Sequence, residues 1–116
     1  MKYPKKGDII FLNFEPQAGH EQAGHEQAGK RPALVVSEQA FNETTGFAAV
    51  CPITTQGKGY PFEVPVTGTD RTTGYILSDQ FKSLDLRVRG FRVVDRVGEK
   101  SLNTTLRNIS LVLGIC

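Results

Sequence analysis

A chain of 116 residues and 12.7 kDa is long enough to bury one core and too short for two domains, so a single domain spanning 1–116 is expected. Hydrophobic residues at 39% and charged residues at 22% exclude a disordered tail or a collagen-like fibre. A formal charge of +2 does not by itself mark a nucleic-acid binder, so that argument must come from where the cations cluster.

No apolar run approaches the roughly 18 to 20 residues of a membrane span, and the first residues lack the apolar stretch of a signal peptide. A cytoplasmic protein without a membrane partner is expected. Cys51 and Cys116 are too few for a disulfide scaffold or a zinc site, and they read as a buried thiol and a tail thiol.

In chain order, Asp8 to Phe14 is rich in β-branched and aromatic residues and almost continuously apolar, as in a strand covered on both faces. Arg31 to Val36 is a second strand, with Pro32 near its start. Ser37 is placed to cap a short helix through Phe41, which Thr44-Thr45-Gly46 ends. Phe47 to Ile53 is a third strand, and Thr54 to Tyr60 a polar, glycine-bearing loop.

Pro61 to Val66 alternates like an edge strand, because its two prolines remove ladder donors. A turn at Asp70 to Gly74 precedes short strands at Tyr75 to Leu77, Phe81 to Leu84 and Gly90 to Val94. Leu102, Leu106, Ile109 and Leu113 recur at helical spacing, which predicts an amphipathic helix from Glu99 to Leu113. Many short strands with one closing helix predict a mainly β, partly open small barrel.

Residues 17 to 29 repeat Gln-Ala-Gly-His-Glu with a five-residue period, too short and too brief for a solenoid. The repeat reads as an expansion of one exposed loop from Glu15 to Lys30, longer than the roughly 12 to 15 residues usual in compact domains. His20 and His25 inside it read as loop filler.

Three groups carry the chemistry. Glu26, Lys30 and Arg31 place a carboxylate and two cations at the start of a core strand. The planar guanidinium of Arg31 suits a phosphorane-like transition state, against the plainer reading of a surface ion pair with Glu26. At the end of the third strand, hydroxyls of Thr54 and Thr55 can bond a phosphate, while Tyr60 and Phe62 can stack on bases; a loop without a ligand is the plain alternative. Lys82, Arg87, Arg89 and Arg92 alternate with apolar residues, as either an RNA-backbone track or a solvated basic edge. No spacing fits a metal site, a nucleophile elbow or a phosphate loop opening a helix.

Gly7-Asp8-Ile9, Pro16, Glu26 to Ala33, Pro52 to Gln56, Lys58 to Val64 and Asp79-Gln80 together, in this order and spacing, closely resemble the MazF/PemK toxin family over nearly the whole chain. The resemblance implies an SH3-like barrel homodimer that cuts single-stranded messenger RNA without a cofactor and is paired with a small antitoxin of MazE type. It implies Arg31 as the catalytic arginine, Thr54 as the catalytic threonine and Glu26 as the motif glutamate. Counting back from Arg31 selects Glu26; counting forward from Pro16 selects Glu21, because the repeat adds five residues.

Lys30, Lys58, Lys82, Arg87 and Arg89 are expected along the RNA path, with Thr55, Gln56, Tyr60, Phe62, Asp79 and Gln80 beside them. In the PemK/Kid branch an arginine stands two residues before the aspartate proposed as base; Leu77 stands there in this chain. The Lys58 to Val64 run resembles members that cut at A-C-A. The alternatives are a toxin of the same barrel type that inhibits DNA gyrase, and an RNA-binding barrel without catalysis.

Overall fold

The computed structural model describes residues 2–15 and 29–115. Expectations for Pro16, Glu21, Glu26, residues 17–28 of the repeat and Cys116 therefore lie outside the described residues. Seven strands alternate with short helices: β1 Asp8–Asn13, β2 Lys30–Val35, α1 Gln39–Thr45, β3 Phe47–Thr54, β4 Glu63–Pro65 and β5 Tyr75–Leu77. A 3-10 turn at Ser78–Gln80 leads into β6 Lys82–Asp85, α2 Leu86–Arg89, β7 Arg92–Arg96 and α3 Glu99–Leu113.

All pairings are antiparallel, in the order β4-β5-β3-β2-β1-β7, with β6 beside β3. The path ends at β4 and β7, so the sheet is not closed. The long β3 carries β2 on one edge; on the other, β6 pairs residues 47 to 50 and β5 pairs residues 53 and 54. The switch falls at Pro52, whose ring nitrogen donates to neither strand.

Strand alternation sorts apolar residues to two faces. Ile10, Leu12 and Phe14 of the first strand segment join Ala33, Val35 and Val50 in one cluster. Ile9, Leu34, Cys51 and Ile53 point the other way and meet Val64 and Ile76. Both faces of the central strands are covered, as their almost continuous apolar character requires.

Several local expectations are corrected. Ser37 does not cap α1: Glu38 holds the N-cap position without a side-chain bond, and the helix runs on to Thr45. The Ser37 hydroxyl instead donates to Asn42 Oδ1 at 2.6 Å and accepts the Ala49 N–H at 2.9 Å, knitting α1 to β3. Gly46 does end the helix, at φ +79. The alternating Leu86-Arg87-Val88-Arg89 run forms one helical turn, capped by Asp85, whose carboxylate accepts from the Arg87 N–H.

The predicted span of α3 is correct, and Leu102 and Ile109 of its apolar stripe pack, half-buried, against the cluster of Ile9, Leu34 and Cys51. Ser101 and Thr105 are its buried residues, while Leu113 is 53% exposed. Ser101 Oγ bonds the Pro65 carbonyl at 2.8 Å and accepts the Thr67 N–H at 3.0 Å, because a small polar side chain lets the helix approach the end of β4.

Candidate active site

The site begins where β2 and β3 part. Val36 N–H donates to the Ala49 carbonyl at 2.9 Å, and antiparallel alternation puts the next bonded pairs at Leu34/Cys51 and Pro32/Ile53. Pro32 has no N–H to give, and the β2–β3 pairing stops at Ala33↔Pro52. Arg31 lies two residues before Ala33 on β2, and Thr54 two residues after Pro52 on β3, beyond that last pair. Both line an open groove of about 830 Å³.

Pro32 and Ile53 line the groove at the fork, with Lys30 and Arg31 from β2 and Thr54 from β3 beside them. The loop after β3 contributes Thr55, Gln56, Lys58 and Tyr60, and Gln80 lines the groove from the 3-10 turn. Among the described residues, Lys30, Arg31 and Lys58 are lining cations set against one lining carboxylate, that of Glu63. That carboxylate is itself engaged, accepting N–H groups of Lys58 at 3.0 and 3.1 Å and of Gly59 at 3.2 Å. The described lining is therefore cationic where a phosphodiester would lie.

Thr54 is held ready by its own backbone. Its Oγ1 accepts the Gln56 N–H at 3.1 Å, which occupies a lone pair and leaves the hydroxyl proton available to donate. Glu63 N–H bonds the Tyr60 carbonyl at 3.0 Å, so the loop closes on itself before β4 begins.

A model of the family described as "PemK-like, MazF-like toxin of type II toxin-antitoxin system" matches residues 5–113. This chain belongs to that family. Among MazF-like toxins, it is 41% identical over 111 residues to "Endoribonuclease toxin MazF" of Escherichia coli (strain K12), covering 96% of this chain and 95% of that one. "Endoribonuclease PemK" of Escherichia coli is 35% identical over 113 residues, covering 94% and 81%. The crystal structure of MazF (Form-I) from Deinococcus radiodurans superposes with a TM-score of 0.86 at 40% identity over 96% of each chain. MazF in the MazE-MazF (Form-II) structure from the same organism gives 0.83 at 39% identity over 97% of each.

In this MazF-like toxin the groove gathers Lys30, Arg31, Thr54, Thr55, Gln56, Lys58, Tyr60 and Gln80 from the sequence-based expectations. Phe62 stands beside Tyr60, ring centroids 6.2 Å apart, and Asp79 sits behind Tyr60. The basic cluster lies off this groove, and its members have other local work. Lys82 lies over the Phe14 ring at 5.9 Å, and Arg89 donates to the Asn13 and Glu15 carbonyls at 2.9 and 3.0 Å. Arg87 bonds Asp85, which holds that carboxyl below the usual carboxylate range.

Thr73 and Glu63 also line the groove without having been named as site residues from sequence, and so does Leu77, noted only as standing where the PemK/Kid branch has an arginine. For Glu63 a signal existed: a carboxylate four and five residues after a Lys-Gly pair is placed to collect their N–H groups. Thr73 and Leu77 arrive through the pairing of β5 with β3, which no local pattern announces.

Proposed function

We propose that this groove cuts single-stranded messenger RNA, with Arg31 and Thr54 at the scissile phosphate and Glu26 or Glu21 as general base. Family membership makes the protein an endoribonuclease toxin of a toxin–antitoxin system. The supporting observation for the site is that Arg31 and Thr54 line one groove from opposing strands.

In the proposed reaction the 2′-oxygen bonds to the neighbouring phosphorus, its proton passes to the glutamate, and the bond to the 5′-oxygen breaks. The 5′-oxygen leaves and takes a proton from water, giving a 2′,3′-cyclic phosphate and a 5′-hydroxyl. The nucleophile belongs to the substrate, so this route calls for no metal-activated water. Arg31 compensates the charge that grows on the pentacoordinate phosphorus, and Thr54 donates one hydrogen bond to it. The cationic lining and exposed Tyr60 favour an unpaired strand, whose bases are free to stack.

Arg31→Ala is expected to lower turnover by about 10²- to 10⁴-fold while the chain still folds, as a cooperative thermal unfolding transition would show. Wild type should keep cutting in excess chelator. Loss of cleavage on chelation would overturn the metal-free route.

A homodimer and an antitoxin of MazE type complete the proposal. MazF of Deinococcus radiodurans has been crystallised in a MazE-MazF structure, and the cationic groove suits an acidic, extended antitoxin segment that excludes RNA. The proposal includes action in the cytoplasm, where messenger RNA is met. The relatives named above are endoribonucleases, which favours cleavage over gyrase binding.

A further inference from the structure

Behind the groove wall, the 3-10 turn Ser78–Gln80 grips the loop that carries Tyr60. Ser78 is fully buried, and its hydroxyl donates to the Phe62 carbonyl at 2.6 Å. The same hydroxyl accepts Asn108 Nδ2 of α3 at 3.1 Å, so the turn is braced from the far side. One residue on, Asp79 Oδ2 accepts the Tyr60 hydroxyl at 2.9 Å. Asp79 Oδ1 is buried and has no hydrogen-bond partner among the described residues.

Neither carboxylate oxygen is offered to a nucleotide. One is occupied by the phenol, the other is closed off from solvent, and Asp79 does not line the groove although Tyr60 and Gln80 do. The carboxylate makes itself felt on the core side: burial, and after it the Asp79 charge, push the Cys51 thiol up to about 12. Tyr60, by contrast, is 49% exposed and would swing freely if its hydroxyl were not tied. A ring fixed at its phenolic end loses little further freedom when a base lands on its face.

We propose that Asp79 is a positioning residue that tethers Tyr60 at the groove rim as a platform for a nucleobase, rather than a base acting on the RNA. This assignment rests on the groove being the RNA site. The first test is steady-state cleavage of a short RNA. Asp79→Ala and Tyr60→Phe should each raise KM by about five-fold with kcat within about two-fold, and the double variant should be no worse than either. Asp79→Asn, whose amide oxygen still accepts the phenol, should recover most of the lost affinity. A fall in kcat of about 100-fold or more in Asp79→Asn, with Tyr60→Phe silent, would make Asp79 a base and overturn the tether.

The second test needs no RNA. Tyr60 is one of three tyrosines, and its bond to the Asp79 carboxylate, followed by that group's charge, raises its phenol above the ordinary value. Ultraviolet titration of the wild type should show one late phenol that moves earlier in Asp79→Asn. A titration that does not move overturns the tether whatever the kinetics. If wild type fails to cut RNA, the nuclease reading falls, and the phenol titration still decides the tether.

Discussion

Gly74 shows how one residue without a side chain sets the position of another that has one. Its φ is +123, and a Cβ there would stand 2.3 Å from the Thr54 carbonyl oxygen, a backbone atom that cannot rotate aside. Gly74→Ala should cost about 1 to 3 kcal/mol in urea unfolding and should also lower turnover, since Thr54 must shift. Gly59, at φ +75 with nothing within 4 Å of its would-be Cβ, is the control. Gly59→Ala should cost only the strain of about 1 kcal/mol and displace no neighbour. Equal effects of the two substitutions on turnover would defeat the idea that Gly74 sets Thr54. Arg31 and Thr54, each left open by its own surroundings and paired only by the family resemblance, do share one groove. Gly74 was not legible, since a lone glycine in a turn does not reveal which backbone is pressed against it.

At the scale of elements, the strands were legible from β-branched and aromatic runs, and α3 from its apolar period. Where reading failed, a residue had been recruited from afar. Ser37 looks like a cap until β3, twelve residues on, claims its hydroxyl. The turn from Asp70 was read correctly, but not the distant group that holds it. The Asp95 carboxylate of β7 accepts the N–H groups of Asp70, Arg71 and Thr72 at 3.1, 2.9 and 2.8 Å. Burial alone would raise this carboxyl, but those bonds, with one from Arg96, hold it well below the usual range. A depressed folded value means that the unfolded chain takes up the proton first as pH falls. The stabilisation is therefore complete above the ordinary carboxylate range and drains away as pH falls below it. Urea unfolding should show Asp95→Asn weaker than wild type at pH 7, with a smaller gap at pH 3. An equal gap at both would refute the linkage.

For the whole molecule, the order of strands was beyond the reach of local pattern. An open antiparallel sheet follows from many short strands, but the sharing of β3 between β5 and β6 depends on where Pro52 interrupts pairing. Leu111, Val112, Leu113 and Ile115 leave the end of α3 apolar and exposed. Light scattering at micromolar concentration should give twice the 12.7 kDa chain mass, as the proposed homodimer requires. A single chain mass would remove the homodimer from the proposal.

The parting of β2 from β3 has a corollary for binding. A ring nitrogen at residue 32 cannot be persuaded to donate by any ligand or modification, so that bond is missing from the β2–β3 ladder whatever binds beside it. An occupant of the proposed groove, substrate or antitoxin, therefore meets the same missing rung beside Arg31.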